Sequence, residues 1–148
     1  MYKIPASYKV LVLVLGDYSI AEWVRVRLPL QLEFGECIAV GIQDNDGILQ
    51  AGVVYYNYCN KNIEISIASN TPRWATKENI SGILNYPFMD LGCRRVTAVT
   101  SRNNDHVRSF LKRIGFMHEG TLHDALDNDD AVIYGMTKKY FLRSKWNG

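Results

Sequence analysis

The sequence predicts a mixed α+β fold in which strands outnumber helices about two to one. Two observations carry this expectation. Apolar runs of strand length recur along the chain, and one of them, NIEISIAS at residues 62–69, alternates cleanly: Ile63, Ile65 and Ile67 on one face, Glu64, Ser66 and Ala68 on the other. Between the strand-like runs lie three segments with apolar residues at helical spacing, giving the order β-α-β-β-β-α-β-α-β-β.

The elements follow in turn. Residues 9–15 are continuously apolar and rich in Val and Leu, which favours a buried strand over so short a helix. Asp17 or Ser19 can cap the next segment, where Ile20, Trp23, Val24 and Leu28 share a face before Pro29 weakens continuation. ECIAVGIQD (36–44) and ILQAGVVYYNY (48–58) read as strands of an antiparallel hairpin, because the DNDG between them accepts positive φ. After the alternating strand, NTPRW (70–74) is a break. Residues 76–92 then place Ile80, Ile83, Leu84, Phe88 and Leu91 on a helix that Pro87 kinks or shortens and Gly92 ends. RRVTAVTS (94–101) is a strand, and Asn103 or Asn104 caps a helix with Val107, Phe110, Leu111 and Ile114 buried and Gly115 as its stop. FMHEGTL (116–122) and DAVIYGMTKKY (130–140) are the last strands, joined by an acidic loop, HDALDNDD (123–130).

Composition narrows the function classes. A chain of 148 residues fits one domain, and 47% hydrophobic with 22% charged residues fits an ordinary globular one. A net charge of +2 gives no basic stripe, so a nucleic-acid partner is not expected. The apolar run at residues 10–16 is far short of the ~20 residues of a membrane helix, and the polar opening MYKIPASYK is unlike a signal peptide, so no membrane partner is expected. Cys37, Cys59 and Cys93 are odd in number and lack CxxC spacing, consistent with a reducing cytoplasm and no zinc site. The aspartates of the acidic loop lack the glycine and terminal glutamate of a calcium loop, so no metal is expected there.

Several blocks in order carry a family resemblance. Asn104 heads a helix, Gly115 follows eleven positions later with Phe116 after it, and EG-x-L comes next at residues 119–122. With the preceding PFMDLGCRRVTA, this pattern resembles the GNAT superfamily of acetyl-CoA-dependent N-acetyltransferases over about residues 36–142. It is most similar to the branch containing ribosomal-protein N-terminal acetyltransferases. It is also similar to small bacteriophage-encoded members, which would act in a host cytoplasm and end in a Gly-Met strand and aromatic tail, as GMTKKYFLRSKW does. The resemblance implies a GNAT-like, mostly antiparallel twisted sheet flanked by helices, splayed between residues 62–69 and 94–100, with acetyl-CoA as co-substrate. It also makes residues 140–146 a candidate dimer interface.

What the resemblance implies for the site is specific. Pantetheine would pair with the backbone of Ile67, Ala68 and Ser69, and Glu64 would be the general base, with the Ala68 N–H polarising the acetyl carbonyl. Relatives cradle the pyrophosphate with Q/R-x-x-G-x-G/A at a helix head. Here Thr71, Trp74 and Thr76 occupy the three defining positions, so the donors would be the N–H groups of Trp74, Ala75 and Thr76, the Thr76 hydroxyl and the Arg73 charge. Asn104 would face the cofactor, and Arg108, with Arg102, Lys112 and Arg113, its outer phosphate. The tyrosine that protonates the leaving thiolate in many relatives is Leu111 here, and the serine common in the ribosomal branch is Val107. His118, His123 and the tyrosines Tyr55, Tyr56 and Tyr58 are weaker candidates for acid–base work or an acceptor wall. The expected reaction is acetyl transfer to a primary amine, a protein N-terminus or lysine. A catalytically degenerate binding module, acting on a host factor, and a small-molecule amine acetyltransferase are the alternatives.

Overall fold

A computed structural model describes residues 8–12, 18–28 and 33–148. Among the described residues seven strands form one sheet: β1 (Tyr8–Val12), β2 (Cys37–Asp44), β3 (Leu49–Cys59), β4 (Asn62–Ser69), β5 (Arg95–Ser101), β6 (Met117–Leu126) and β7 (Asp129–Thr137), in the order β1-β2-β3-β4-β5-β7-β6. Every neighbouring pair is antiparallel except β4 and β5. Helices α1 (Ser19–Arg25), α2 (Lys77–Asn85), α3 (Asp105–Ile114) and α4 (Lys138–Arg143) flank the sheet. The expected element order is therefore present, with α4 added at its end. Residues 13–17 and Pro29, which the sequence assigns to the first strand's end, the first helix cap and its stop, lie outside the described residues. Among the described residues no helix is long and apolar enough to cross a membrane.

The alternation in β4 reflects two different covers. Ile63 and Ile65 are buried in the main core with Ile80, Ile83 and Leu84 of α2 and Leu111 and Ile114 of α3. On the opposite face Ala68 belongs to a smaller core with Ile20, Ala21 and Val24 of α1. The cross-strand pair Gly41 and Gly52 forms the floor under α1. A Cβ on Gly52 would lie 2.6 Å from Val24 Cγ2, and one on Gly41 2.7 Å from Ile20 Cδ1, so the glycines let the helix sit this close without displacing those side chains. Tyr18, rather than Ser19, stands at the α1 N-cap.

Local chemistry sets the remaining boundaries. In the DNDG turn the Asp44 carboxylate accepts from the N–H groups of Asp46 and Ile48 at 2.9 and 3.0 Å, and Gly47 has φ +77°. Thr76 caps α2 through its hydroxyl, which accepts from the Asn79 N–H at 3.2 Å. Pro87 ends the α-helix at Asn85 and the chain widens into a π-helical turn, Tyr86–Asp90, before Gly92 at φ +69°. Asn104, not Asn103, caps α3, accepting from the Val107 N–H at 3.3 Å, and Gly115 terminates it at φ +114°.

Two segments differ from the sequence reading. Residues 123–130 are not a loop: they complete β6 and open β7 around a tight turn. Their carboxylates are used within the hairpin and beside it. Asp130 accepts from the Asp124 N–H at 2.7 Å, and Asp129 accepts from the Ser101 hydroxyl and the Asn103 N–H. The last strand, expected to reach residue 140, stops at Thr137 because its hydroxyl caps α4, accepting from the Tyr140 N–H at 3.2 Å. The aromatic tail then folds back on the core. Phe141 is buried, and the buried Trp146 donates from Nε1 to the Ile114 carbonyl at 2.6 Å. Of the aromatics proposed for a dimer interface, Tyr140 stays exposed.

The Asp129 contacts have a pH signature. The Ser101 hydroxyl, then the Asn103 and Asp130 N–H groups and Arg102, hold the Asp129 carboxyl below its ordinary value of 3.8. A depressed folded-state pKa contributes stability that is present above 3.8 and lost as pH falls through the lower folded value. Asp129→Asn is expected to lower the melting temperature at neutral pH and converge with the wild type in strong acid. Parallel melting-versus-pH curves would contradict this.

Candidate functional site

The site begins where two neighbouring strands part. β4 and β5 run parallel from Asn62 opposite Arg95 to Ile65 opposite Ala98, and their pairing stops there. Each strand continues with its other neighbour: β4 stays on β3 as far as Ser69 opposite Ala51, and β5 stays on β7 as far as Ser101 opposite Ala131. Alternate peptide groups of a strand point to alternate sides, so part of the backbone of residues 66–69 faces the gap where β5 would have been.

The gap is a cleft. One wall is Ile65–Ser69, the other Ala98, Val99 and Thr100, and α3 contributes Asn104, Val107, Phe110 and Leu111. Pro72, Trp74 and Ala75 close one end, and Arg27, His106 and Arg113 bring cationic or titratable nitrogen to the lining. No carboxylate is among the lining residues described. A mixed sheet forked at its one parallel pair, with helix heads after each diverging strand, is an architecture shared with known structures.

No family model and no curated protein matches the sequence. Solved structures do match. A GNAT-family acetyltransferase from Bacillus anthracis aligns with a TM-score of 0.59 and 18% identity, over 68% of this chain and 66% of that one. A spermidine N-acetyltransferase, SpeG, from Vibrio cholerae aligns with a TM-score of 0.72 and 15% identity, over 94% of this chain and 98% of that one. The chain has the GNAT fold. A structure described as a probable acetyltransferase shares 26% identity at a TM-score of 0.58, over 70% of this chain and 62% of that one. The chain thus spans slightly less than two thirds of the length of the first and third of these.

The GNAT cleft gathers most of the residues expected at it. Ile67, Ala68, Ser69, Trp74, Ala75 and Asn104 line it, with Leu111 and Val107 as apolar wall. Glu64 does not line it. It sits half-buried one residue before Ile65 at the fork, between Tyr56 of β3 and Thr97 of β5 in register, and its Oε2 accepts from Asn57 Nδ2 at 2.9 Å.

Arg108 is placed elsewhere. Its Nε donates to the Tyr134 hydroxyl at 3.0 Å and its Nη1 to the Arg102 carbonyl at 2.9 Å, tying α3 to β7 outside the cleft lining. Arg113 of the same helix lines the cleft instead, with its guanidinium 5.5 Å from the Phe110 ring centre. Arg73 is exposed, and the Thr76 hydroxyl is engaged as the α2 cap.

Two of the three expected backbone donors are hydrogen-bonded within the turn. The Ala75 N–H donates to the Pro72 carbonyl at 3.1 Å and the Thr76 N–H to the Trp74 carbonyl at 2.9 Å, so both are engaged inside the turn. The first turn of α2, Lys77 and Glu78, then presents the N–H groups that a helix leaves without intrahelical partners. Trp74 turns into the wall, 3% exposed, with its ring 5.6 Å from that of Phe110.

Other features surfaced only in three dimensions. Ser66 lines the cleft and shares a 3.1 Å hydrogen bond with the buried Tyr56 hydroxyl, whose pKa burial pushes up, opposed by the Ser66 bond and reinforced by Glu64. Tyr55 faces the other core and donates to the Ile83 carbonyl at 2.6 Å, while Tyr58 is exposed. His118 packs against Tyr134 and His123 is exposed beside Asp130, both away from the cleft lining. Burial raises the thiol pKa values of Cys37 and Cys93. His106 and Arg27 carry no local sequence signal, because they reach the cleft only through the packing of α3 and the end of α1.

Proposed function

We propose that the protein is an N-acetyltransferase that moves an acetyl group from acetyl-CoA directly to a primary amine, a protein N-terminus or a lysine side chain. The fork between β4 and β5 carries this reading. Its residues fit the co-substrate: a backbone rail at Ile67–Ser69 for the amide-bearing pantetheine, an apolar slot, and Arg113 with the α2 head for the phosphates. The exposed Arg73 adds charge beside that head.

Acetyl-CoA supplies the activated acetyl group. The chain orients and discharges the proton. Glu64 takes the ammonium proton through one water, since the carboxylate stands beside the cleft rather than in its wall. The Ala68 N–H donates to the acetyl oxygen as negative charge develops there. Val107 and Leu111 place no proton donor at their two positions on α3, so the C–S bond breaks to release the thiolate, which takes its proton from solvent, and orientation and carbonyl polarisation do most of the work, with positioning alone contributing on the order of 7–11 kcal/mol. The only carboxylate this reading places near the acceptor is Glu64, and the cleft lining adds Arg27, His106 and Arg113. That balance suits an acceptor with one amine better than a polyamine. The choice of a protein acceptor rests on the similarity of the Glu119–Leu122 block to the ribosomal-protein branch.

Free-thiol release from acetyl-CoA, measured with peptides bearing free N-termini and with spermidine, tests the reading. Turnover with peptides and little with spermidine is expected. Turnover with spermidine alone would make the protein a small-molecule acetyltransferase, and acetyl-CoA binding with no turnover on any amine would leave a binding module.

A further inference from the structure

The head of the GNAT cleft is shaped by a residue outside its lining. Asn79 is completely buried, and its Nδ2 donates to the Trp74 carbonyl at 2.7 Å. Its Oδ1 is the one buried side-chain polar atom among the described residues without a hydrogen-bond partner. A flipped amide would set this oxygen against the Trp74 oxygen, so the orientation follows from the contact. The Trp74 carbonyl does not need the donor, because the Thr76 N–H already reaches it at 2.9 Å. Leucine has the same branched shape, would bury no unpaired oxygen and would leave the Trp74 carbonyl with its Thr76 donor, so the exchange leaves no polar group unsatisfied. Stability therefore does not explain an asparagine here.

We infer that Asn79 is a positioning residue for the phosphate end of coenzyme A, holding the Pro72–Trp74 turn in the shape that presents the α2 head to the cleft. The inference rests on the acetyl-CoA reading above. Where relatives rely on glycines for close backbone approach, three side chains brace this segment: the Thr71 hydroxyl accepts from the Arg73 N–H at 3.2 Å, the Thr76 hydroxyl accepts from the Asn79 N–H, and the Asn79 amide holds the Trp74 carbonyl. The brace turns the Trp74 ring onto Phe110 of α3, which moves its bulk into the wall and away from the approaching phosphates.

Calorimetric titration with coenzyme A, paired with thermal melting, tests this on the wild type, N79L and N79A. Affinity is expected to fall at least about tenfold in both variants, with N79L melting at or above the wild-type temperature. Unchanged affinity in both would overturn the inference and leave the acetyl-CoA reading standing. An equal affinity loss in Leu84→Ala, a variant destabilised in the same helix, would show a merely structural effect and also overturn it. Failure of the wild type to bind coenzyme A would overturn both.

Discussion

Glu64→Gln is expected to lower turnover by about 10²–10⁴-fold while leaving acetyl-CoA affinity unchanged, the range typical of losing a general base. The substitution is chosen because it preserves the surroundings. Glutamine keeps an oxygen that can accept from Asn57 Nδ2, and it keeps the register with Tyr56 and Thr97, so the side chain stays beside the fork without a proton acceptor. Single-turnover rates with pre-bound acetyl-CoA separate chemistry from binding. A fall of less than about threefold would remove Glu64 from the reaction.

Phe88→Ala is expected to destabilise the protein by about 3–5 kcal/mol, seen as a lower urea midpoint with an unchanged slope. Phe88 is fully buried at the centre of the π-helical turn that Pro87 creates, and its ring stacks on Phe141 of α4 with centroids 4.9 Å apart. Removing it opens a cavity that neither element can close, because α4 is tethered through the Thr137 cap and the Trp146 bond to Ile114. The loss should therefore sit at the high end for an aromatic truncation. A loss below about 1 kcal/mol would mean that the tail is not packed on this turn.

Much of the fold was legible because its signals are local. The alternation of residues 62–69 records a strand with a different core on each face, and the Asn104 cap and Gly115 stop bracket a helix by their own backbone chemistry. Pro87 announced a break, though not that a π-helical turn would absorb it. The misread segments depend on partners distant in sequence. The aspartates of residues 123–130 look like a solvated turn until Ser101 and Asn103 are placed beside Asp129. Tyr140, Phe141 and Trp146 read as a strand and tail until the Ile114 carbonyl and Phe88 are brought against them.

The site divides along the same line. The strand that forms one wall of the cleft was readable from its alternation, while the place of Ile67, Ala68 and Ser69 at the site came from the family resemblance. Arg108 and Arg113 could not be told apart as exposed helix charges, because Tyr134 decides which of them turns away. That the Ala75 and Thr76 N–H groups are engaged within the turn could not be read from the sequence either, because the Pro72 and Trp74 carbonyls that accept from them are set by the shape of that turn.

The central claim is that coenzyme A lies in the fork between β4 and β5. Mapping backbone amide shifts by NMR during titration with acetyl-CoA tests it most directly. Saturating shifts are expected at residues 66–69, at residues 73–78 and at the head of α3 from Asn104 to Val107. No shifts at millimolar acetyl-CoA, or shifts confined to the β6–β7 hairpin, would contradict it.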